Sequence, residues 1–214
     1  MQFLLLKLFL FFFIFSSHSN AEIQKVFEFT SDELKDLKVR KIKNETKYSL
    51  EINENGNLLK AVSDGTASGL GKEIIINLNK TPFINITWKV EKDLKGIDEK
   101  SKKGHDYAAR VFVVKKTGAT ALSNRAINYV FSSNNLINEN WRSPYTKKSI
   151  DYVLATTKNN LNEWVTVKAN VKIHFKKLHG LDVNELNGVA IMSDTDNSKM
   201  KAISYFQNIY FSSE

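Results

Sequence analysis

Hydrophobic and polar positions alternate along most of this chain with the two-residue period of β-strands. The segment 188–211 contains two predicted strands. Residues 189–192 are all apolar, a turn rich in Asp, Asn and Ser follows, and the second strand shows the alternation, with aromatic residues at several positions. An entirely apolar strand is typical of a sheet that is covered on both faces. We therefore predict that the first of these strands is covered on both faces and that the fold is organised around the two strands. The predicted dry face of the second strand is formed by Ile203, Tyr205, Ile209 and Phe211.

Other strands are predicted wherever a similar alternation is bounded by turn residues. They cover residues 26–29, the hairpin pair 48–52 and 58–62, then 73–78, 84–90, 108–115, 126–132 and 151–156. Loops are predicted for residues 64–69, 93–104 and 141–145.

Capping residues predict two short helices. Thr30 and Glu33 form a capping box that begins a helix ending near Leu37. Asn170 and Gly180 are a suitable N-cap and terminator for a second helix over residues 171–179, which follows a strand. About nine strands with short turns and without crossover helices predict an all-β fold. We interpret residues 22–214 as one β-sandwich domain with jelly-roll or galactose-binding-like topology.

Residues 1–21 have the pattern of a secretory signal peptide: one Lys, an apolar stretch, and small residues at Ser19 and Ala21. The apolar stretch is too short to span a bilayer. We therefore expect cleavage after Ala21, no transmembrane anchor after that cleavage, and a periplasmic or secreted protein. The sequence has no Cys, which excludes disulfides and thiolate metal sites.

The net charge of +8 comes from 27 Lys and 4 Arg against 23 acidic residues. The Lys residues are spread along the whole chain, whereas nucleic-acid sites favour clusters that include the Arg fork. We therefore expect no nucleic-acid partner.

Two motifs are the most specific features of the sequence: DYAARVFVV at residues 106–114 and GVAIMSDTDN at residues 188–197. Together with residues 59–63, 67–68, 82, 88–90 and 127–130, they resemble, in order and spacing, a bacterial secreted family called domain of unknown function 3047 (DUF3047). The resemblance covers nearly all of the chain after the signal peptide. It implies a β-sandwich similar to carbohydrate-binding modules of the galactose-binding-like type, and it implies no assigned activity.

Arg110 lies in an apolar strand. Because Phe112 and Val114 share its parity and are predicted to face the core, Arg110 is expected to point inward and to need a carboxylate partner. The favoured interpretation is an Arg–Asp pair that fixes the final turn to the central sheet, and a substrate-binding Arg is the alternative. The candidate partners are Asp106, Asp194 and Asp196.

The turn at residues 194–197 also offers oxygen atoms to a hard cation. Asp194, Asp196 and Asn197 are one and two residues apart, which suits Ca²⁺, although the Gly and the distant Glu of an EF-hand loop are missing. A plain hydrogen-bonded turn is the favoured interpretation. Calcium is the one cofactor that the sequence suggests.

Aromatic side chains can stack on sugar rings. Trp141 and Tyr145 lie in a polar stretch and are the predicted exposed pair, whereas Trp88 and Trp164 lie in apolar strands and are predicted to be core residues.

The chain offers few histidines for catalysis. His105 adjoins an Asp and is a weak candidate for acid–base chemistry, and His174 and His179 are expected on the surface of the second helix.

We therefore expect a protein that binds a carbohydrate or cell-envelope glycan without catalysis. One alternative is a sugar-active enzyme, either a glycoside hydrolase or a polysaccharide lyase, with Asp106, Arg110, Asp194 and Asp196 in an open cleft. The other alternative is a structural envelope protein without a small ligand. Full burial of those four side chains would indicate a scaffold role. The expected binding residues are Trp141, Tyr145, Asp106, Arg110, Asp194 and Asp196.

Overall fold

The computed structural model describes residues 21–120 and 123–214. The predicted signal peptide, apart from Ala21, therefore lies outside the described residues and stays a prediction. No helix in the described part of the chain is long and apolar enough to cross a membrane. The described residues form fifteen strands and three short helices. In chain order these are β1 (Ile23–Phe27), α1 (Ser31–Asp36), β2 (Lys38–Lys43), β3 (Lys47–Asn53), β4 (Gly56–Asp64), β5 (Ala67–Lys72), β6 (Ile76–Asn77), β7 (Phe83–Lys92), β8 (Tyr107–Lys115), β9 (Arg125–Ser132), β10 (Asn140–Arg142), β11 (Ser149–Thr156), α2 (Thr157–Asn160), β12 (Val165–Asn170), α3 (Val171–His179), β13 (Glu185–Leu186), β14 (Gly188–Asp194) and β15 (Lys201–Ser212).

Two large sheets form a sandwich. The six-stranded sheet has the order β12-β7-β15-β4-β3, with β1 also paired to β15, and the seven-stranded sheet has the order β10-β11-β9-β8-β14-β5-β2. Among the described pairs, β9 and β11 run parallel and the others antiparallel. One apolar core between the sheets takes side chains from both, including Trp88, Val111, Ile127, Ile191 and Phe206. The predicted all-β sandwich is confirmed, and β14 and β15 each have neighbouring strands on both sides.

Local capping chemistry explains both predicted helices. The Thr30 hydroxyl accepts a hydrogen bond from the Glu33 amide at 3.1 Å and begins α1, while the Glu33 carboxylate reaches back to the Phe29 amide at 2.7 Å. Asn170 accepts from the amide of the third residue of α3, and Gly180 ends that helix at a φ of 70°, a left-handed conformation that glycine adopts without strain.

The loop predicted for residues 64–69 is wrong from Ala67 onward, because β5 begins there. Small residues that are typical of a loop are needed in this strand because its neighbours approach closely. A Cβ atom on Gly69 would lie 2.9 Å from the carbonyl oxygen of Ile191 in β14. The strand predicted for residues 73–78 is also wrong in extent, since only Ile76 and Asn77 pair, with β13.

An irregularity in β15 changes which of its side chains face the core. The register with β7 shifts between Phe206 and Ile209, so Phe206 before the shift and Ile209 after it both lie in the core. The prediction that Ile203 and Tyr205 face the core was therefore wrong. Before the shift the core side chains are those of Ala202 and Phe206, so Ile203 and Tyr205 lie on the opposite face of the strand. A strict two-residue period cannot place such an extra residue.

The core face of β8 also differs from the prediction. Val111 and Val113 lie in the core, whereas Phe112 and Val114 are half-buried on the opposite face. Arg110 shares the parity of Phe112 and therefore points away from the core.

The two tryptophans that were predicted to be core residues behave differently. Trp88 is fully buried, as predicted. Trp164 is 38% exposed, so the prediction that it is a core residue is wrong. It lies just before β12, and the centroid of its ring is 6.2 Å from that of Tyr205.

Candidate functional site

The seven-stranded sheet has an outer face, which points away from the core. Cross-strand pairing places two rows of residues on this face, and at about 4.8 Å per strand the first row spans about 29 Å. The first row, from β10 to β2, is Trp141, Asp151, Asn128, Phe112, Ala190, Gly71 and Lys38. The second row, from β11 to β2, is Val153, Val130, Arg110, Met192, Gly69 and Arg40.

The part of this face between β8 and β2 has a floor of mostly small residues, which we call the furrow. Its members are Gly69, Gly71, Ala190 and Met192. A Cβ atom on Gly71 would lie 3.7 Å from both the Ala190 Cβ and the Lys38 carbonyl oxygen, which are ordinary contacts. Packing therefore does not require glycine at position 71. A glycine in a strand interior often marks a place where a ligand or another backbone approaches closely.

Three polar atoms on the outer face are buried without a hydrogen-bond partner among the described residues: Arg110 Nε, Asn128 Oδ1 and Trp141 Nε1. Arg110 is 5% exposed and Asn128 is fully buried. Leaving such an atom unpaired costs about 1–3 kcal/mol. These two donors and one acceptor share one face of neighbouring strands, but none of them is at the surface, so a ligand can contact them only after the side chains above them move.

The predicted Arg–Asp pair is confirmed by the geometry. An Arg110 Nη2 hydrogen bond to Asp194 Oδ2 measures 2.6 Å, and the Tyr107 amide donates to Asp194 Oδ1 at 3.2 Å. The guanidinium carbon lies 5.2 Å from the ring centroids of both Tyr107 and Phe112. A register shift between β8 and β14 brings Tyr107 to the same face as Arg110.

Carboxylate oxygens of Asp106, Asp194 and Asp196 lie within 4.8 Å of one another. Asp106 is fully buried and accepts hydrogen bonds from the Asn197 amide at 3.2 Å and the Ser198 amide at 2.6 Å. These bonds fix the turn that precedes β15, which agrees with the favoured interpretation. Because Asp106 and Asp194 already accept from backbone amides and Arg110, few of their lone pairs are left for a cation. Calcium binding by Asp194, Asp196 and Asn197 stays a prediction.

Burial raises the pKa of Asp194 to about 8; Arg110 opposes this rise, and the neighbouring Asp106 and Asp196 add to it. One guanidinium faces three carboxylates, so this cluster retains a proton near neutral pH.

We expect the free energy of unfolding to fall as the pH rises through this range. The folded chain keeps a proton on Asp194 that the unfolded chain loses above about pH 4. The stability from this group is therefore complete below about pH 4 and is lost by about pH 8, with a slope of at most about 1.4 kcal/mol per pH unit. Urea denaturation at about pH 5, 7 and 9 measures it. The Asp194→Asn variant should show a flatter profile, and an equal slope in that variant would contradict the assignment.

A buried hydrogen-bonded chain was missed by the sequence reasoning. His105 Nε2 lies 2.8 Å from Asp151 Oδ2, and the Asn128 amide donates to Asp151 Oδ1 at 2.5 Å. The His105 ring lies edge-on to the rings of Tyr107 and Tyr145, at 5.3 and 5.5 Å. The available signal was the presence of Asp151 and Asn128 inside apolar strands, where polar residues are rare.

The two aromatic residues that were predicted to be exposed lie next to this series of hydrogen bonds. Tyr145 is 56% exposed, and its hydroxyl donates to Asn197 Oδ1 at 2.6 Å. Trp141 is half-buried and lies in β10 rather than in a loop, packed against a small cluster that contains Tyr107 and Val130. The structure therefore brings the predicted site residues together around Tyr107 and Asn197, where β8 begins and the turn before β15 lies.

Two other histidines differ from their predicted exposure. His174 and His179 are half-buried, and the Nδ1 atom of His174 lies 3.0 Å from the Tyr129 hydroxyl. Burial lowers the pKa of His174 to about 4. Both residues lie on α3, away from the outer face, because Tyr129 belongs to the core face of β9.

A family model described as "Protein of unknown function (DUF3047)" matches residues 32–210. No curated protein matches the chain. Among solved structures, the family 30 carbohydrate-binding module of the cellulosomal cellulase CEL9D-CEL44B of Clostridium thermocellum superposes with a TM-score of 0.53 at 8% identity, over 90% of this chain and 98% of that one. At this identity the similarity shows the fold alone.

Two further structures have lower TM-scores. A cellulase derived from Cel12A of Rhodothermus marinus gives 0.48 at 9% identity, over 90% of this chain and all of that one. The family 11 carbohydrate-binding module of Lic26A-Cel5E of Clostridium thermocellum gives 0.42 at 14% identity, over 91% and 95%. The conclusion about the fold rests on the family 30 module.

Proposed function

The chain belongs to the DUF3047 family, whose description names no activity, and from its outer face we propose that it binds a carbohydrate or cell-envelope glycan without catalysis, in the periplasm or outside the cell. The observation that carries the proposal is the first cross-strand row, in which aromatic, hydrogen-bonding and glycine positions follow one another across the sheet. The carbohydrate-binding module that shares this fold adds support by analogy.

The row offers the two kinds of contact that a sugar needs. Trp141 and Phe112 supply partly exposed aromatic surface for the C–H groups of a sugar ring. The unpaired atoms Arg110 Nε and Asn128 Oδ1 are buried, and they would exchange hydrogen bonds with hydroxyl groups once a ligand displaces the side chains that cover them. The furrow continues the same surface toward β2, so a chain of several sugar units fits across the sheet better than one sugar.

The enzyme alternative finds less support. Asp106 and Asp194 are buried and accept hydrogen bonds from backbone amides, so they serve the fold rather than a cleft. The structural alternative gives no reason for the glycine at position 71, which packing does not require.

The test is a binding screen of the purified protein against glycan oligosaccharides, followed by the Trp141→Ala variant. We expect at least one glycan to raise the unfolding temperature and the variant to bind it at least about tenfold more weakly, because a buried aromatic anchor carries much of such binding energy. Isothermal titration calorimetry measures the change.

Trp164→Ala is the matched control, since Trp164 is a partly exposed tryptophan that lies beside the other sheet, against Tyr205 of β15. It should leave glycan binding unchanged. Equal losses in the two variants, or no stabilisation by any glycan, would refute the proposed site.

A further inference from the structure

The edge strand β2 carries positive charge to one end of the outer face. All six of its residues are exposed. Lys38 pairs across the ladder with Gly71, and Arg40 pairs with Gly69, so both project on the side of the furrow. Lys41, which pairs with Ser68, projects on the opposite side.

Lys38 and Arg40 differ in their interaction partners. Lys38 Nζ lies 2.9 Å from an oxygen of the exposed Glu73. Arg40 is exposed and makes no ion pair or hydrogen bond through its side chain within the described part of the chain. Its guanidinium is therefore free to bind a ligand.

The acidic groups of the outer face are already engaged. Asp194 is bonded to Arg110, and Asp151 to His105 and Asn128. The charge that remains available around the furrow is therefore positive, in a chain whose net charge is +8. The planar fork of an arginine matches the two oxygens of a carboxylate.

Resting on the proposed glycan site, we propose that its ligand is a glycan with carboxylate groups, that is, a polymer that contains uronate sugars. Arg40 binds a carboxylate at the β2 edge, with Lys38 beside it. The aromatic end of the row holds the sugar rings at Trp141 and Phe112. The bare floor at Gly71 lets the polymer pass between these two ends.

A second explanation for cations on β2 is that they keep an exposed sheet edge from pairing with another chain. That role does not depend on which side of the strand a cation faces. Lys41 is therefore the control for Arg40: it lies on the same strand, is exposed, has the same charge and faces away from the furrow, where its Nζ atom lies 3.8 Å from Glu45 Oε2.

The experiment compares glycans that differ only in charge. Polygalacturonate is paired with its methyl ester, and C6-oxidised cello-oligosaccharides with the unoxidised ones, each titrated into the full-length protein. We expect the carboxylated member of at least one pair to bind about tenfold more tightly, and this preference to shrink at high salt. Arg40→Gln should remove the preference for the carboxylated member, whereas Lys41→Gln should keep that preference.

Each other outcome is decisive. If the neutral members bind as tightly as the carboxylated ones and Trp141→Ala weakens both, the glycan site stands and the carboxylate preference is wrong. If Lys41→Gln and Arg40→Gln lower the affinity equally, only general charge attraction is present and the role of Arg40 is wrong. If neither these pairs nor any glycan of the screen binds, the glycan site itself is refuted, and the carboxylate preference with it.

Discussion

Gly71→Leu is expected to lower glycan affinity by at least about 100-fold without lowering stability. The substitution introduces a side chain into the furrow, where a Cβ atom meets only ordinary contacts. Glycine in the interior of a strand is destabilising by about 0.5–1 kcal/mol relative to alanine, so the variant should be at least as stable as the parent protein. Urea denaturation measures the stability, and calorimetric titration with the best glycan of the screen measures the affinity.

Gly71→Ala is the control for this variant. It removes the same backbone freedom but adds only one methyl group, so we expect it to gain a similar stability and to keep most of the binding. A Gly71→Leu protein that is stable and binds normally would show that the ligand does not cross the furrow. If both variants lose binding equally, backbone flexibility rather than space would matter at this position.

The elements that the sequence predicted well are those whose causes are local. The capping box at Thr30 and Glu33 and the caps at Asn170 and Gly180 act within a few residues, so both helices were predicted from their own segments. The hairpin of β3 and β4 was predicted for the same reason, because its turn lies between the two strands.

The features that were missed depend on partners far along the chain. A strand's period does not reveal an extra residue such as that between Phe206 and Ile209, because the shift is defined by the pairing with β7. The contact of Asn128 with Asp151 joins residues 23 positions apart on strands that meet only in the folded sheet. The glycines of β5 likewise indicated a loop until the neighbouring backbone was known.

The candidate site was predicted in its members but not in its arrangement. Arg110 and Asp194 were named as a pair, and the pair forms. The core side of β8 was assigned incorrectly, so Arg110 was placed in the interior rather than on the outer face. Both faces of this strand bear apolar residues, and hydrophobicity alone cannot tell which one meets the other sheet.

Arg110→Met should lower the free energy of unfolding by about 3–5 kcal/mol, the usual loss when the cation is removed from a buried charged cluster. Without the guanidinium, three carboxylates remain within 4.8 Å of one another and two of them are buried. The loss should be smaller at about pH 4 than at about pH 7, because protonated carboxyl groups no longer need the cation. Urea denaturation at both pH values measures it.

Two variants make this result specific to the pair. Arg142→Met removes an exposed arginine and should change stability by no more than about 0.5 kcal/mol. The double variant Arg110→Met with Asp194→Asn should be less destabilised than the sum of its two single variants, because the second change removes the buried carboxyl group that the first left without its partner. Strict additivity, or a loss below about 1 kcal/mol for Arg110→Met, would mean that the hydrogen bonds of Asp106 hold the final turn without this ion pair. If coupling is found, the Nη2 atom of Arg110 stabilises the turn through Asp194, while its Nε atom stays buried without a partner among the described residues.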